Sequence, residues 1–346
     1  PVELDVCNLL AWNYWVAVGQ RFRIDRSMAS KTSSVVTQDS ELVLFNDRQR
    51  AIVSPWGGSL RRYFVMESDG SETGVVWGYS GAKNKKGGQG DVLIPFPGRI
   101  AEGRYNFEAR TYQLERNDRE GPNAIHGFVR TLPWTVREQA SDRVEFEVML
   151  EAELYASRGY PFTLSVRVTY QLGPGGLSCA FAVRNVGMSP APLGVGFHPY
   201  FTVGTDIIDE AEARIAAAGY LEFNERLTPT GRILPVSGTE WDYRQFRPVG
   251  ARRFNHCYVQ LERNRDGACI ASLRNPRTGR TIDVVMDRSF DAIVVYTGDA
   301  IAEAPRRALA IEPMTCASDA FNYPEWGLKR LMPGATFSGR YGVSAR

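Results

Sequence analysis

One carboxylate, Glu312, and two imidazoles, His126 and His198, each stand at the edge of an apolar run. Together they are equipment for moving protons at neutral pH. Glu312 lies in Ala310-Ile311-Glu312-Pro313-Met314-Thr315 and is approached by Ala308 and Leu309. Burial by such a run raises a carboxylate's pKa toward that of a useful base; a surface carboxylate at a strand end is the competing reading. His198 lies in Gly196-Phe197-His198-Pro199-Tyr200-Phe201. Pro199 fixes the backbone after the imidazole, and Tyr200 and Phe201 offer a wall for a ligand. A buried histidine satisfied by a backbone carbonyl would look the same. His126 lies in Asn123-Ala124-Ile125-His126-Gly127-Phe128, where Gly127 lets a ligand approach the backbone closely; a turn histidine is the alternative. Arg99 follows Pro95-Phe96-Pro97-Gly98. A guanidinium beside a rigid turn can fork onto vicinal hydroxyls or a carboxylate, and a surface arginine explains it equally well.

Strands must position these groups. Val144, Phe146, Val148 and Leu150 alternate with polar neighbours, the period of a half-buried strand. Leu164 to Tyr170 and Leu177 to Val183 repeat the pattern around Gly173-Pro174-Gly175-Gly176, which predicts an antiparallel hairpin. Ile282 to Met286 and Ala292 to Tyr296 continue it. Thirty-three glycines and nineteen prolines punctuate short runs throughout, as in a sandwich or barrel. Tyr105, Phe107 and Tyr112 keep strand spacing. Asp209 to Ala218, rich in Ala and Glu, is helical by propensity alone. The basic run Lys83 to Lys86, beside Gly87 and Gly88, reads as a solvated loop.

The chain's 346 residues, 43% of them apolar, can bury a core without disulfide staples. Five scattered cysteines without a C-x-x-C pair point to reduced thiols and a cytoplasmic setting, and no Cys/His cluster has zinc spacing. With 41 basic and 39 acidic residues interspersed, there is no electrostatic footprint for nucleic acid. Leu9 to Gly19 is apolar but shorter than the ~20 residues that span a bilayer, and acidic residues precede it where a secretory leader is basic. No membrane association is expected. Residues 1–40 read as an N-terminal extension, non-native or poorly ordered ahead of Met28 as the natural start. Residues 41–346 read as one domain.

An ordered set of motifs resembles the aldose 1-epimerases, the galactose mutarotase-like enzymes. The matching strings are Pro97-Gly98-Arg99-Ile100, Asn123 to Phe128, Gly196 to Phe201, Pro229-Thr230-Gly231, Gly238-Thr239-Glu240-Trp241-Asp242 and Ala310 to Thr315. Order and spacing fit from roughly Glu41 to Tyr341. The resemblance implies an all-β, single-domain antiparallel β-supersandwich with an open sugar cleft, and makes Asp209 to Leu221 mainly strand. It implies interconversion of the α and β anomers of a free aldohexose, with no metal or cofactor. Carried over, Glu312 is the general base at the anomeric hydroxyl and His198 the general acid at the ring oxygen. His126, Arg99, Asn123 and Tyr200 are expected to bind the sugar.

There is one departure. The family usually grips sugar hydroxyls with an aspartate, and Asn255, in Phe254-Asn255-His256-Cys257-Tyr258, occupies the matching position. An amide still hydrogen-bonds, but the charge-assisted bond, roughly twice as strong, is lost. His256 either compensates or is structural. Two other readings share the fold. One is a hexose-6-phosphate 1-epimerase, with Arg130 as a phosphate ligand. The other is a carbohydrate-binding protein without turnover, toward which only Asn255 points. The sequence leaves oligomeric state open.

Overall fold

Period-two strands bury one face each only if sheets stack, and residues 35–346, which this computed structural model describes, do so as two antiparallel layers. One sheet has 12 strands and the other 9. A shared core takes Val166, Val168 and Phe181 from the smaller sheet and Val53, Ile293 and Ile311 from the larger. The four-residue segment Ala152–Tyr155 is the one α-helix among the described residues. No helix there is long and apolar enough to cross a membrane. The expectation about residues 1–27 and Met28 lies outside the described residues. Ser40 at the start of the body accepts a 2.6 Å hydrogen bond from Ser54 Oγ through its carbonyl.

The anticipated hairpin is present. Leu164–Gly173 pairs with Gly176–Asn185, and the register closes at Gly173 opposite Gly176. Ala292–Tyr296 and Thr281–Met286 are strands as read. Tyr105 and Tyr112 face each other across the hairpin Arg104–Phe107/Arg110–Gln113. The Ala/Glu-rich stretch is not a helix: after a short turn at Ile208–Glu210 it forms strands Glu212–Ile215 and Ala217–Phe223. Packing overrides propensity there, because Ala211, Ala213, Ile215 and Ala217 alternate into the core. The Lys83–Gly90 segment is a loop but not simply solvated. Gln89 and Gly90 are buried, and Lys85 pairs with buried Asp91.

Register explains how distant residues meet. Gly196 pairs with Met314 and Tyr200 with Ala310, so antiparallel counting sets His198 opposite Glu312. Pro199 and Pro313 donate no backbone N–H, and the ladder opens around the histidine into two short strands, Gly196–Phe197 and Tyr200–Phe201. On the other flank, Gly196–Phe197 pairs with Val92–Leu93. That ladder runs on as His198 N–H donates to the Asp91 carbonyl (3.0 Å) and Gly90 N–H to the His198 carbonyl (2.9 Å). The backbone of His198 is therefore clamped on both sides of its side chain.

Gly127 fixes the second imidazole. Its φ is +61°, and a Cβ there would lie 2.1 Å from the Ile94 carbonyl oxygen, a backbone atom that cannot swing aside. Gly127→Ala combines left-handed strain with this overlap. We expect it to cost about 3 kcal/mol, lowering Tm by roughly 6–12 °C in a thermal melt. A melt within about 2 °C of wild type would contradict this close packing.

Candidate active site

Glu312 sits in the centre of the strand Leu309–Met314, every residue of which is buried. The larger sheet carries it there as the lone carboxyl of its strand, with 2% exposure. His198 Nε2 lies 3.3 Å from Glu312 Oε1. The His126 ring meets that of His198 edge-on, with centroids 5.4 Å apart. Both histidines and Glu312 open onto a cleft of about 750 Å³ that also takes in Arg99, Asn255, Tyr296 and Met314. His126 has φ +63°, uncommon for a side chain with a Cβ, and is held by its N–H to the Gly98 carbonyl at 3.0 Å. Three buried atoms of these residues, His126 Nδ1, His198 Nδ1 and Glu312 Oε2, have no hydrogen-bond partner among the described residues. Buried polar groups without partners are costly, and all three of these residues line one cleft.

Burial dominates the electrostatics. It pushes the Glu312 carboxyl well above the usual carboxylate range, opposed by the positive charge of Arg99. It lowers His198 to about 4, against the pull of the Asp91 carboxylate. His126 is lowered well below an ordinary histidine, first by burial and then by His198 and neighbouring cations. Both His198 and Glu312 thus favour their neutral forms, with the Glu312 carboxyl 3.3 Å from the imidazole nitrogen.

The other expected site residues separate into two groups. Arg99 reaches the cleft, its Nε bonded to Asp118 (2.8 Å) and its Nη2 to Glu120 (2.6 Å). Asn255 reaches it from the strand Asn255–Leu261, opposite Tyr296. Asn123 does not. It donates through Nδ2 to Asp118 (3.0 Å) and the Arg226 carbonyl (2.9 Å), and its oxygen accepts from Glu102 N–H (3.2 Å), so its amide is consumed in bracing Asp118. Tyr200 lies behind the site, stacked on His198 at 5.1 Å with its hydroxyl donating to the Gly87 carbonyl (2.7 Å). It supports the imidazole from below. His256 faces away from the cleft, packed on Trp241 at 3.8 Å, and is structural.

Sequence reasoning missed Asp91, Lys85, Asp118, Glu120 and Tyr296. Asp91 is fully buried between Lys85 and Arg130, the latter 3.4 Å away. Its signal was the one used for Glu312, a lone carboxylate at the head of an apolar run, here Val92-Leu93-Ile94. Five cations (Lys85, Lys86, Arg99, Arg119, Arg130) line the cleft with four carboxylates (Asp118, Glu120, Glu303, Glu312). Among the described residues no cluster of three or more His, Cys, Asp or Glu side chains has the convergence of a metal site. A second hollow, about 880 Å³, lies among Gln171, Leu177, Asp287 and Tyr341 and contains no imidazole.

Such a cleft can pass a proton onto one oxygen while taking one from its neighbour. Known proteins resemble this chain over most of its length. The family described as Aldose 1-epimerase matches residues 41–344. Among curated proteins, an uncharacterized protein of Escherichia coli, YihR, is 32% identical over 67% of this chain and 71% of its own. The galactose mutarotase of Sus scrofa is 29% identical over 80% of this chain and 82% of its own. Among solved structures, the GalM/aldose epimerase homologue from C. elegans superimposes with a TM-score of 0.78 at 19% identity, covering 89% of this chain and 98% of that one. At that identity the likeness speaks for the fold, a galactose mutarotase-like β-sandwich.

Proposed function

Since the chain belongs to the aldose 1-epimerase family, we propose that it interconverts the α and β anomers of a free aldohexose, glucose or galactose, with Glu312 as base and His198 as acid. The observation that carries the reading is the buried His198–Glu312 pair at 3.3 Å. The two oxygens of a hemiacetal share one carbon, so acid and base have to stand side by side, as these do.

The proton balance closes on the pair alone. A sugar's anomeric hydroxyl, donating to Glu312, and the charge of Arg99 favour the ionised carboxylate, and the carboxyl proton passes to His198. Glu312 then takes the anomeric hydroxyl proton while His198 protonates the ring oxygen, and the C1–ring oxygen bond breaks to give the aldehyde. The C1–C2 bond rotates. His198 takes the proton back from the C5 hydroxyl as that oxygen attacks C1, and Glu312 returns its proton to the former carbonyl oxygen. No proton need come from solvent. His126, kept neutral by burial, donates to the ring-oxygen region as charge develops there. One acid and one base of this kind are each worth ~10²–10⁴-fold.

Optical rotation of freshly dissolved α-D-glucose and α-D-galactose tests the reading directly. Acceleration by catalytic amounts of protein is the expected result. Acceleration only with the 6-phosphate would move the assignment to the phosphorylated sugar. Binding without acceleration of any sugar would make the protein a binder.

The proton balance also sets a pH profile. Activity requires one proton on the pair. Below about pH 4 a second proton adds to His198 and activity falls. The alkaline limb comes with loss of the last proton and lies above the ordinary carboxylate range, since Glu312 is shifted upward. A kcat/KM profile with its acid limb near 6.5, the unperturbed histidine value, would contradict the burial of His198.

A further inference from the structure

On the mutarotase reading, we infer that Glu120 is a specificity-determining residue. Its free carboxylate oxygen grips a hydroxyl of the bound sugar, in the role that Asn255 has given up as a charge. The cleft is otherwise short of an available carboxylate. Glu312 is committed to the proton. Asp118 has both oxygens engaged: Oδ2 accepts from Arg99 Nε (2.8 Å) and Asn123 Nδ2 (3.0 Å), and Oδ1 from Glu120 N–H (3.0 Å). Glu303 is held by Lys86 at 2.7 Å and is 64% exposed at the rim. Glu120, half-exposed, is oriented by the guanidinium that itself lines the cleft, and it keeps one oxygen unspent. Arg99 Nη2 holds Oε2 at 2.6 Å, while Oε1 takes no hydrogen bond among the described residues.

Position supports the role. Glu120 lines the same cleft as Asn255 and Tyr296. The Tyr296 phenol responds to the charges of both Glu120 and Arg99, and Tyr296 is the direct ladder partner of Asn255. The carboxylate therefore shares the cleft with the strand from which Asn255 projects. A guanidinium and a carboxylate held side by side present a donor and an acceptor to neighbouring hydroxyls, a pairing suited to a vicinal diol. The chain Asn123–Asp118–Arg99–Glu120 holds that pairing in place within the loop.

The test is Glu120→Gln, assayed on the full chain with glucose, galactose and a set of deoxy hexoses each lacking one hydroxyl. We expect KM to rise about 10- to 100-fold with kcat within about threefold, because the contact forms equally in ground and transition states. In wild type, removing the gripped hydroxyl carries a comparable KM increase; in the variant that increase disappears for this one deoxy sugar. An unchanged KM overturns the inference. So does a raised KM with every deoxy effect intact, which would make Glu120 a brace for Arg99. Should wild type turn over none of these sugars, the mutarotase reading fails separately. Calorimetric titration of the same sugars into wild type and Glu120→Gln then decides: weaker binding by the variant sustains the grip, and equal or absent binding in both overturns it.

Discussion

Glu312→Gln is expected to slow mutarotation by about 10²–10⁴-fold while sugar binding survives. Glutamine keeps the shape and an acceptor oxygen, so hydroxyl contacts persist, but an amide cannot take the anomeric proton. The same substitution should stabilise the fold. Burial raises the Glu312 pKa above its unfolded value. The native state therefore prefers the proton, and its stability declines as pH rises from about 4.5 toward the folded pKa. A neutral amide removes that slope. At pH 7–8 the variant should melt higher than wild type by about 1–2 kcal/mol, a few degrees, and the gap should close toward pH 4. Polarimetry and paired melts at two pH values check both halves. A variant with near-native turnover would dismiss Glu312 as the base, and one that is inactive but no more stable would dismiss the burial account of its basicity.

Much of the fold was legible because each strand obeys its own packing. Leu164–Gly173 and Gly176–Asn185 show the burial pattern in their alternation, and Gly173-Pro174-Gly175-Gly176 closes them locally. The strand bearing Glu312 was legible for the opposite reason: it lies inside a wide sheet with both faces covered, so its sequence is a near-continuous apolar run with one exception. The stretch from Asp209 misled propensity because its alanines serve as small core residues in a strand, a choice made by the opposing sheet. At the site, His126, His198 and Glu312 could be singled out by chemistry, but their meeting depends on ladders joining distant segments. The support network was out of reach for the same reason. Nothing local shows that Asn123 would spend its amide on Asp118, or that Tyr200 would lie under His198 and not against a ligand. Asp118 and Glu120 sit on a loop whose position is set by Arg99, which no periodicity records.

If His198 and Glu312 act as one proton-sharing unit, their removal cannot be additive. His198→Gln alone should cost about 10²–10⁴-fold in kcat. The acid limb near pH 4 should vanish with it, because the group that takes the second proton is gone. The variant keeps a polar side chain beside Glu312, and the backbone clamp at Gly90 and Asp91 does not involve the imidazole. The protein should therefore fold, with binding lost by no more than about tenfold. In the Glu312→Gln/His198→Gln double variant, base and acid are both absent, but the cycle was already broken by either loss. Its rate should lie within about tenfold of the worse single variant, far from the product of the two effects. The residual rate in all three would then be what His126 and Arg99 supply by orienting the sugar. Multiplying effects in the double variant would mean that the two groups act in separate steps, each exchanging its proton with water. The 3.3 Å contact between them would then be incidental to the chemistry.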